Sequence, residues 1–378
     1  MPTPPVPDHE LQAAADAYRE TGNSYLRGAE LLGMKYPKYR HRVDLAKAKG
    51  LHLSPGARNV IDRAQLSYGE AKGGWVHDYD ADGKKVGTTR WAAPSDDPAT
   101  LLDRVRDAFD NLPAAKPVDA PKHHHADLKT VYMIADAHVG MMAWGKETGE
   151  DYDTRIACDR ITEWMARLVD CSPMSAEALI LDVGDLLHAD DQTNMTPRGG
   201  HILDVDTRYF KTVDATIAAL VAATNYALLR HQRVTVKILP GNHDPHACLA
   251  IVFALAAYYR DEPRVTVLKE PGEWYVERWG DCLLSAHHGH GGKPERMVMF
   301  LADQYAEMWG QTRHRFLYTA HLHHLKAADI GGVQWEQLRA MTAKDAYAIS
   351  QAHSARAQLQ AVTLHRDRGE ISRVKVGL

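Results

Sequence analysis

The chain has 378 residues, 45% of them hydrophobic and 25% charged, with a formal net charge of −4. This ordinary usage excludes wholesale disorder and a uniformly basic nucleic-acid coat, and its length suits two or three domains. Four scattered cysteines without a CxxC pair, no apolar leader and no apolar run longer than Cys248–Tyr259 exclude a disulfide framework, a secretory signal and a membrane span, and predict a cytoplasmic protein with no membrane partner.

Three short helices are expected over 9–50. The first carries Leu11, Ala14, Ala15 and Tyr18 at helical spacing, the second stops at Gly33, and the third opens at Pro37 with Tyr39, Val43 and Ala46 on one face. Helix, glycine turn and helix form the pattern of a helix-turn-helix. Lys35, Lys38, Arg40, Arg42, Lys47, Lys49, Arg58 and Arg63 stand there against only Asp44 and Asp62. Such a basic helix can enter a DNA groove and neutralise phosphates, so the first six are candidate DNA contacts; a solvated basic helix in a small protein-binding adaptor is the alternative.

Residues 74–91 read as a hairpin around Asp80-Ala-Asp-Gly83. This segment lacks the glutamate and spacing of a calcium loop and is read as a turn. An amphipathic helix is expected near 98–111, then a Pro/Ala-rich linker with His123, His124 and His125 as a solvated polar tract. The expected divisions are 1–70 (helix-turn-helix-like), 71–112 (hairpin and helix connector), 113–128 (linker) and 129–378. From Leu128 short apolar strands alternate with helices, such as the stripe Ala157, Ile161, Trp164, Met165 and Leu168, which predicts an α/β domain.

Histidine is the compositional outlier, with 22 copies against 5 phenylalanines. Its distribution explains the excess. Val131–Ala135 leads into Asp136-Ala-His138, Ala178–Val183 into Gly184-Asp185, and Val234–Leu239 into Gly241-Asn-His-Asp244. Cys282–Ala286 leads into His287-His-Gly-His290, and Phe316–Ala320 into His321-Leu-His323-His324. Ligand sites in open α/β sheets lie beyond the C-terminal ends of strands, so five such ends predict one site. Asp, Asn and His without thiolate suit Mn(II), with Fe or Zn as alternatives. Asp136 and His138, two residues apart, are expected to point to one side of an extended segment, as are His321 and His323.

Together these blocks resemble the calcineurin-like metallophosphoesterase superfamily, whose pattern is DxH, GD, GNH(D/E), a later His before Gly, and GHxH. The match covers about 129–378. Gly184 to Asp191 and Leu203 to Arg208 look most like phage-encoded members related to the bacterial repair-exonuclease branch. The resemblance implies a four-layer αββα sandwich with two mixed β-sheets, here preceded by the small α-helical domain. It also implies two divalent metal ions. Asp136, His138, Asp185 and His323 would hold one, and Asp185, Asn242, His288 and His321 the other. His288 is preferred to His287 because it directly precedes Gly. His243 would stabilise charge or protonate the leaving oxygen, with Asp244 orienting it and Asp190 or Asp191 competing for that role.

The family's Gly before the last block is Ala320 here, whose Cβ narrows the backbone. His188 and, on the loop from Ala189 to Asp206 and after the fourth block, Arg198, Arg208, Lys293 and Arg296 are candidate substrate contacts; for the four cations a surface salt bridge is the alternative. The expected function is phosphodiester hydrolysis by a metal-bridging hydroxide, as a DNA nuclease with no ATPase partner and no capping domain after His323. The alternatives are a small-molecule or cyclic-nucleotide phosphodiesterase or phosphatase with a protein-binding adaptor, and a DNA-binding regulator with an inactive phosphoesterase domain.

Overall fold

A computed structural model describes residues 6–21, 25–51, 73–79, 85–92, 114–350, 352 and 354–377. Contacts divide the chain into two units, Met1–Leu112 and Pro113–Leu378.

The first unit contains α1 (Asp8–Glu20), α2 (Tyr25–Leu31) and α3 (Tyr36–Ala48). Pro37 lies in the first turn of α3, where its missing amide costs no hydrogen bond. Ala14, Tyr18, Ala29, Tyr39 and Val43 form the small core, and the Tyr39 hydroxyl donates to the Ala14 carbonyl at 3.1 Å. Gly28 faces Tyr39 so closely that a Cβ there would meet the phenol ring. β1 (Gly73–Tyr79) and β2 (Lys85–Ala92) pair antiparallel, so the hairpin forms. Its Asp80–Gly83 turn, the helix expected near 98–111, and Arg58, Asp62 and Arg63 lie outside the described residues.

The second unit carries β3 (His125–Ile134), α4 (Gly145–Thr148), α5 (Thr154–Cys171), β4 (Ser175–Asp182), α6 (Tyr209–Leu228), β5 (Arg233–Ile238), α7 (Ala247–Tyr258) and β6 (Val265–Val267). There follow β7 (Trp274–Trp279), β8 (Cys282–His287), α8 (Pro294–Gln304), α9 (Ala306–Gly310), β9 (His314–Thr319), β10 (Lys326–Ile330), β11 (Val333–Gln337), α10 (Ala346–Ser350), β12 (Gln358–His365) and β13 (Gly369–Gly377). The six-stranded sheet has the order β13-β12-β3-β4-β5-β6, and the five-stranded sheet β10-β11-β9-β8-β7. Both mix parallel and antiparallel ladders.

Strand periodicity builds the layers. On β3 and β4, Tyr132, Ile134, Ala178 and Ile180 face α5, α6 and α7, while Val131, Met133, Leu179 and Leu181 face the other sheet and meet Leu284, Phe316 and Tyr318. Leu317, Val333 and Trp335 on the far side of that sheet bury Met297, Val298 and Leu301 of α8. The result is a four-layer αββα sandwich, the fold class the resemblance implies. α5 starts where it does because the Asp153 carboxylate accepts the Ile156 amide at 2.6 Å. Among the described residues no helix is long and apolar enough to cross a membrane.

The segment expected as a linker departs from that reading. Val118 donates its amide to Glu262 at 2.9 Å, and the Arg264 guanidinium takes the Val118 and Asp119 carbonyls at 2.9 and 3.1 Å. His125 already belongs to β3. Fixed donors and acceptors on the sheet edge hold the segment down, so it is not a free tether.

Candidate metal centre

The ligand-bearing strand ends come from both sheets. β3, β4 and β5 run parallel in one, β8 and β9 parallel in the other, and their C-terminal ends converge. Two ligand loops are zipped together by backbone hydrogen bonds, from the Asp136 amide to the Gly184 carbonyl at 3.3 Å and from the His138 amide to the Asp185 carbonyl at 2.9 Å.

The local backbone differs from expectation. Asp136 (φ 46°), His138 (φ 43°), Asp185 (φ 55°), His321 (φ 73°) and His323 (φ 58°) all lie in the left-handed region. The two-residue spacings thus aim their side chains through left-handed turns and not along extended strands. This conformation is costly for non-glycine residues and persists only where surroundings enforce it, typically at functional sites. Ala320 is absent from the positive-φ residues. The strained position has fallen on His321, so the extra methyl at 320 fits.

Among the described residues three groups bring ligand atoms together, Asp136–His138–His323, Asp185–His288–His321 and His138–His188–His243; the first two are adjoining donor groups and carry the ligand sets the resemblance implies, and the third shares His138 with the first. His138 Nε2 lies 3.2 Å from His323 Nε2, and His323 Nε2 lies 3.5 Å from Asp136 Oδ1. Asn242 Oδ1 is 3.1 Å from His288 Nε2. Asp185 faces both groups with one oxygen: Oδ2 is 3.1 Å from His288 Nε2 and 3.8 Å from His138 Nε2. Its other oxygen accepts the His243 amide at 2.8 Å, and Asp136 accepts the His321 amide with both oxygens at 3.1 Å.

Outer contacts set the tautomers. The His288 Nδ1–H donates to the Val183 carbonyl at 2.9 Å, so that in the neutral ring the Nε2 lone pair points inward. His188 Nδ1 lies 3.3 Å from His138 Nδ1 and can accept its proton, baring His138 Nε2 in the same way. His287, by contrast, has its Nε2 3.4 Å from Glu273.

Electrostatics match a cation site. Burial and the neighbouring His243 hold His138 well below the usual imidazole range, and burial and His243 bring His188 down to about 3. Burial and His288 bring His321 down to about 4. Burial alone would depress His288 and raise Asp185. Their mutual attraction overrides it, lifting His288 to about 10 and holding Asp185 well below the carboxylate range. Burial would likewise depress His323, yet Asp136 raises it. Imidazolium charge thus balances the buried carboxylates where cations would otherwise do so. Mixed N/O donors, inward lone pairs and this negative centre fit two divalent ions.

Asp244 departs from the role expected for it. It is fully buried, and its carboxylate accepts the Leu187 and Gly241 amides at 3.0 and 3.1 Å. It therefore ties the second ligand loop to the third. Burial and Asp185 push it up to about 7. The His243 ring is oriented instead by the His188 carbonyl, which accepts from Nδ1 at 2.8 Å, and His188 stacks on it with centroids 5.3 Å apart. Asp190 holds the start of α7 through the His246 and Ala247 amides, and Asp191 closes a turn with Thr193.

A cavity of about 400 Å³ opens on His138, His188, His243, His321 and His323. Its charged wall is Lys344, Asp345 and Arg356, two cations and one carboxylate. Arg198, Arg208, Lys293 and Arg296 do not line it: Arg208 borders a separate hollow beside Tyr209 and Phe210, and Lys293 precedes α8. Lys344 was missed because nothing near it in sequence signals the site. The chain reaches the site only through the non-local parallel pair β9–β11, followed by the Met341 and Thr342 amides on the Ala135 and Asp136 carbonyls at 2.9 and 3.2 Å.

The N-terminal cations are largely engaged within their own bundle. Arg42 pairs with Glu10, Lys49 with Asp8 at 2.5 Å, and Arg40 with Asp44 at 3.9 Å. Lys47 lies over the Tyr18 and Tyr25 rings, 4.1 and 4.6 Å from their centroids. Lys35 and Lys38 are exposed, with no carboxylate in ion-pair distance among the described residues.

No family model matches the chain, and no curated protein matches it in sequence. Several solved structures do resemble it. A dimetal phosphatase from Danio rerio is 10% identical, covering 66% of this chain and 98% of that one, with a TM-score of 0.38. An archaeal phosphodiesterase is 10% identical over 66% and 99%, with a TM-score of 0.34. A predicted phosphoesterase from Streptococcus pneumoniae is 12% identical over 67% and 100%, with a TM-score of 0.28. Identities and TM-scores this low carry no inference, and the reading of the site rests on its own geometry.

Proposed function

We propose that the chain is a metal-dependent phosphodiesterase acting on nucleic acid. The observation that carries the metal-dependent chemistry is the single oxygen of Asp185 facing both donor groups, 3.1 Å from His288 and 3.8 Å from His138. Asp136, His138, Asp185 and His323 would hold one cation, and Asp185, Asn242, His288 and His321 the other. When bound, two divalent cations polarise phosphoryl oxygens and acidify water.

The remaining steps belong to the chain. The Val183 carbonyl and His188 keep the ligand imidazoles oriented. His243, with Nδ1 engaged by the His188 carbonyl, exchanges a proton at Nε2 and delivers it to the leaving oxygen. Lys344 and Arg356 on the cavity wall attract the anionic substrate.

A second reading keeps this chemistry but acts on a small cyclic diester, with the N-terminal helices binding protein. The engagement of Arg42, Lys47 and Lys49 within the bundle favours it. One panel separates the two: the full chain with Mn(II) on single-stranded DNA, duplex DNA, cyclic nucleotides and bis-p-nitrophenyl phosphate. The nucleic-acid reading predicts cleavage of DNA; cleavage of only the small diesters would sink it.

A further inference from the structure

Beside the donor cavity lies a second hollow of about 510 Å³, bordered by Leu322, His323, Arg339, Ala355 and Arg356. Leu322, His323, Ala355 and Arg356 also line the cavity that opens on the donor groups. The two hollows share a wall, so a groove leads away from the site on that side.

Its charge has no internal counterpart. Among the described residues no carboxylate lies in ion-pair distance of Arg339 or Arg356, and none borders the hollow they share. The Arg339 backbone is fixed on both sides, by the Leu338 amide on the Thr319 carbonyl at 2.7 Å and the Gln358 amide on the Ala340 carbonyl at 3.0 Å. Arg356 sits at the mouth, two residues before β12. Both arginines line this one hollow, which at about 510 Å³ has room for a phosphate with its flanking sugars, and a guanidinium presents paired N–H donors to phosphate oxygens.

We propose that Arg339 and Arg356 bind the phosphodiester next to the scissile one. Resting on the phosphodiesterase reading, this makes the substrate an oligonucleotide chain: a cyclic nucleotide or lone diester places its one phosphate at the donor groups and has none for the second hollow. Leu322, 54% exposed on the shared wall, offers an apolar surface between the two phosphates.

The test compares kcat/KM of the full chain with Mn(II) on a thymidine dinucleotide, with one diester, and a trinucleotide, with two. The trinucleotide is expected to be preferred by about ten-fold, from charge-assisted hydrogen bonds to the second phosphate. Arg356→Gln, at an exposed position, and Arg339→Gln should each bring that ratio toward one, with Arg339→Lys retaining part of it. As an independent readout, anisotropy of a fluorescein-labelled oligothymidylate in EDTA should show binding weakened roughly ten-fold by Arg356→Gln. A wild-type ratio near one, or ratio and binding unchanged in both glutamine variants, overturns the proposal. Failure to hydrolyse bis-p-nitrophenyl phosphate defeats the phosphodiesterase reading alone, and the binding arm still decides the subsite.

Discussion

At the scale of the residue, the donors divide the labour by proton state. His243 stands outside the two donor groups, held by a carbonyl, so His243→Ala should leave metal content intact and lower turnover about 10²–10⁴-fold. Loss of metal in that variant would move His243 into the donor set. His288 is the opposite case. In the metal-free protein its pKa is raised from 6.5 to about 10 by Asp185, so below 6.5 its imidazolium contributes fully to stability, and that contribution fades as pH rises through 10. A cation must displace this proton. Calorimetry in buffers of different ionisation enthalpy should therefore show proton release on Mn(II) loading near pH 7.5, with affinity rising as pH increases toward 10. A pH-independent affinity without proton release would contradict the pairing. Ligand identities were legible as residue types beyond apolar runs. The left-handed turns that aim them were not, because φ is decided by the loop-to-loop hydrogen bonds between Asp136, His138, Gly184 and Asp185.

At the scale of the element, close approach of the ligand loops depends on glycine. Gly184 adopts φ +99°, and a Cβ there would meet His288 Nδ1 at 2.6 Å. Gly184→Ala should push the His288 ring off the Val183 carbonyl and weaken Mn(II) binding by 10–100-fold while the fold is retained. Titration calorimetry beside circular dichroism checks this, and wild-type affinity would refute it. The strands themselves were readable from alternation: Val131, Met133, Leu179 and Leu181 on one face, Tyr132, Ile134, Ala178 and Ile180 on the other. That the ends belong to two sheets was not, since pairing partners are non-local. Asp244 was misread for a similar reason: its amide partners Leu187 and Gly241 come from two different loops.

At the scale of the whole molecule, net charge said little and local pairing says more. Only Lys35 and Lys38 of the six candidate DNA contacts are exposed without a carboxylate or aromatic partner among the described residues. Charge counting over 35–63 could not reveal this, because Asp8, Glu10, Tyr18 and Tyr25 lie outside that window. If this helix meets duplex DNA, Lys35→Gln with Lys38→Gln should reduce the slope of log K against log salt by roughly two in the full chain. An unchanged slope would place the helix off the nucleic acid.

The central claim is that two cations in adjoining donor groups make this chain a phosphodiesterase. Stoichiometric titration of metal-free full chain with Mn(II), followed by bis-p-nitrophenyl phosphate hydrolysis, tests it most directly. Activity should rise and saturate at two Mn(II) per chain, and Asp185→Ala, which removes the oxygen facing both groups, should hold neither ion firmly and show no rise. Two ions bound without hydrolysis, or hydrolysis that survives Asp185→Ala, would contradict the account.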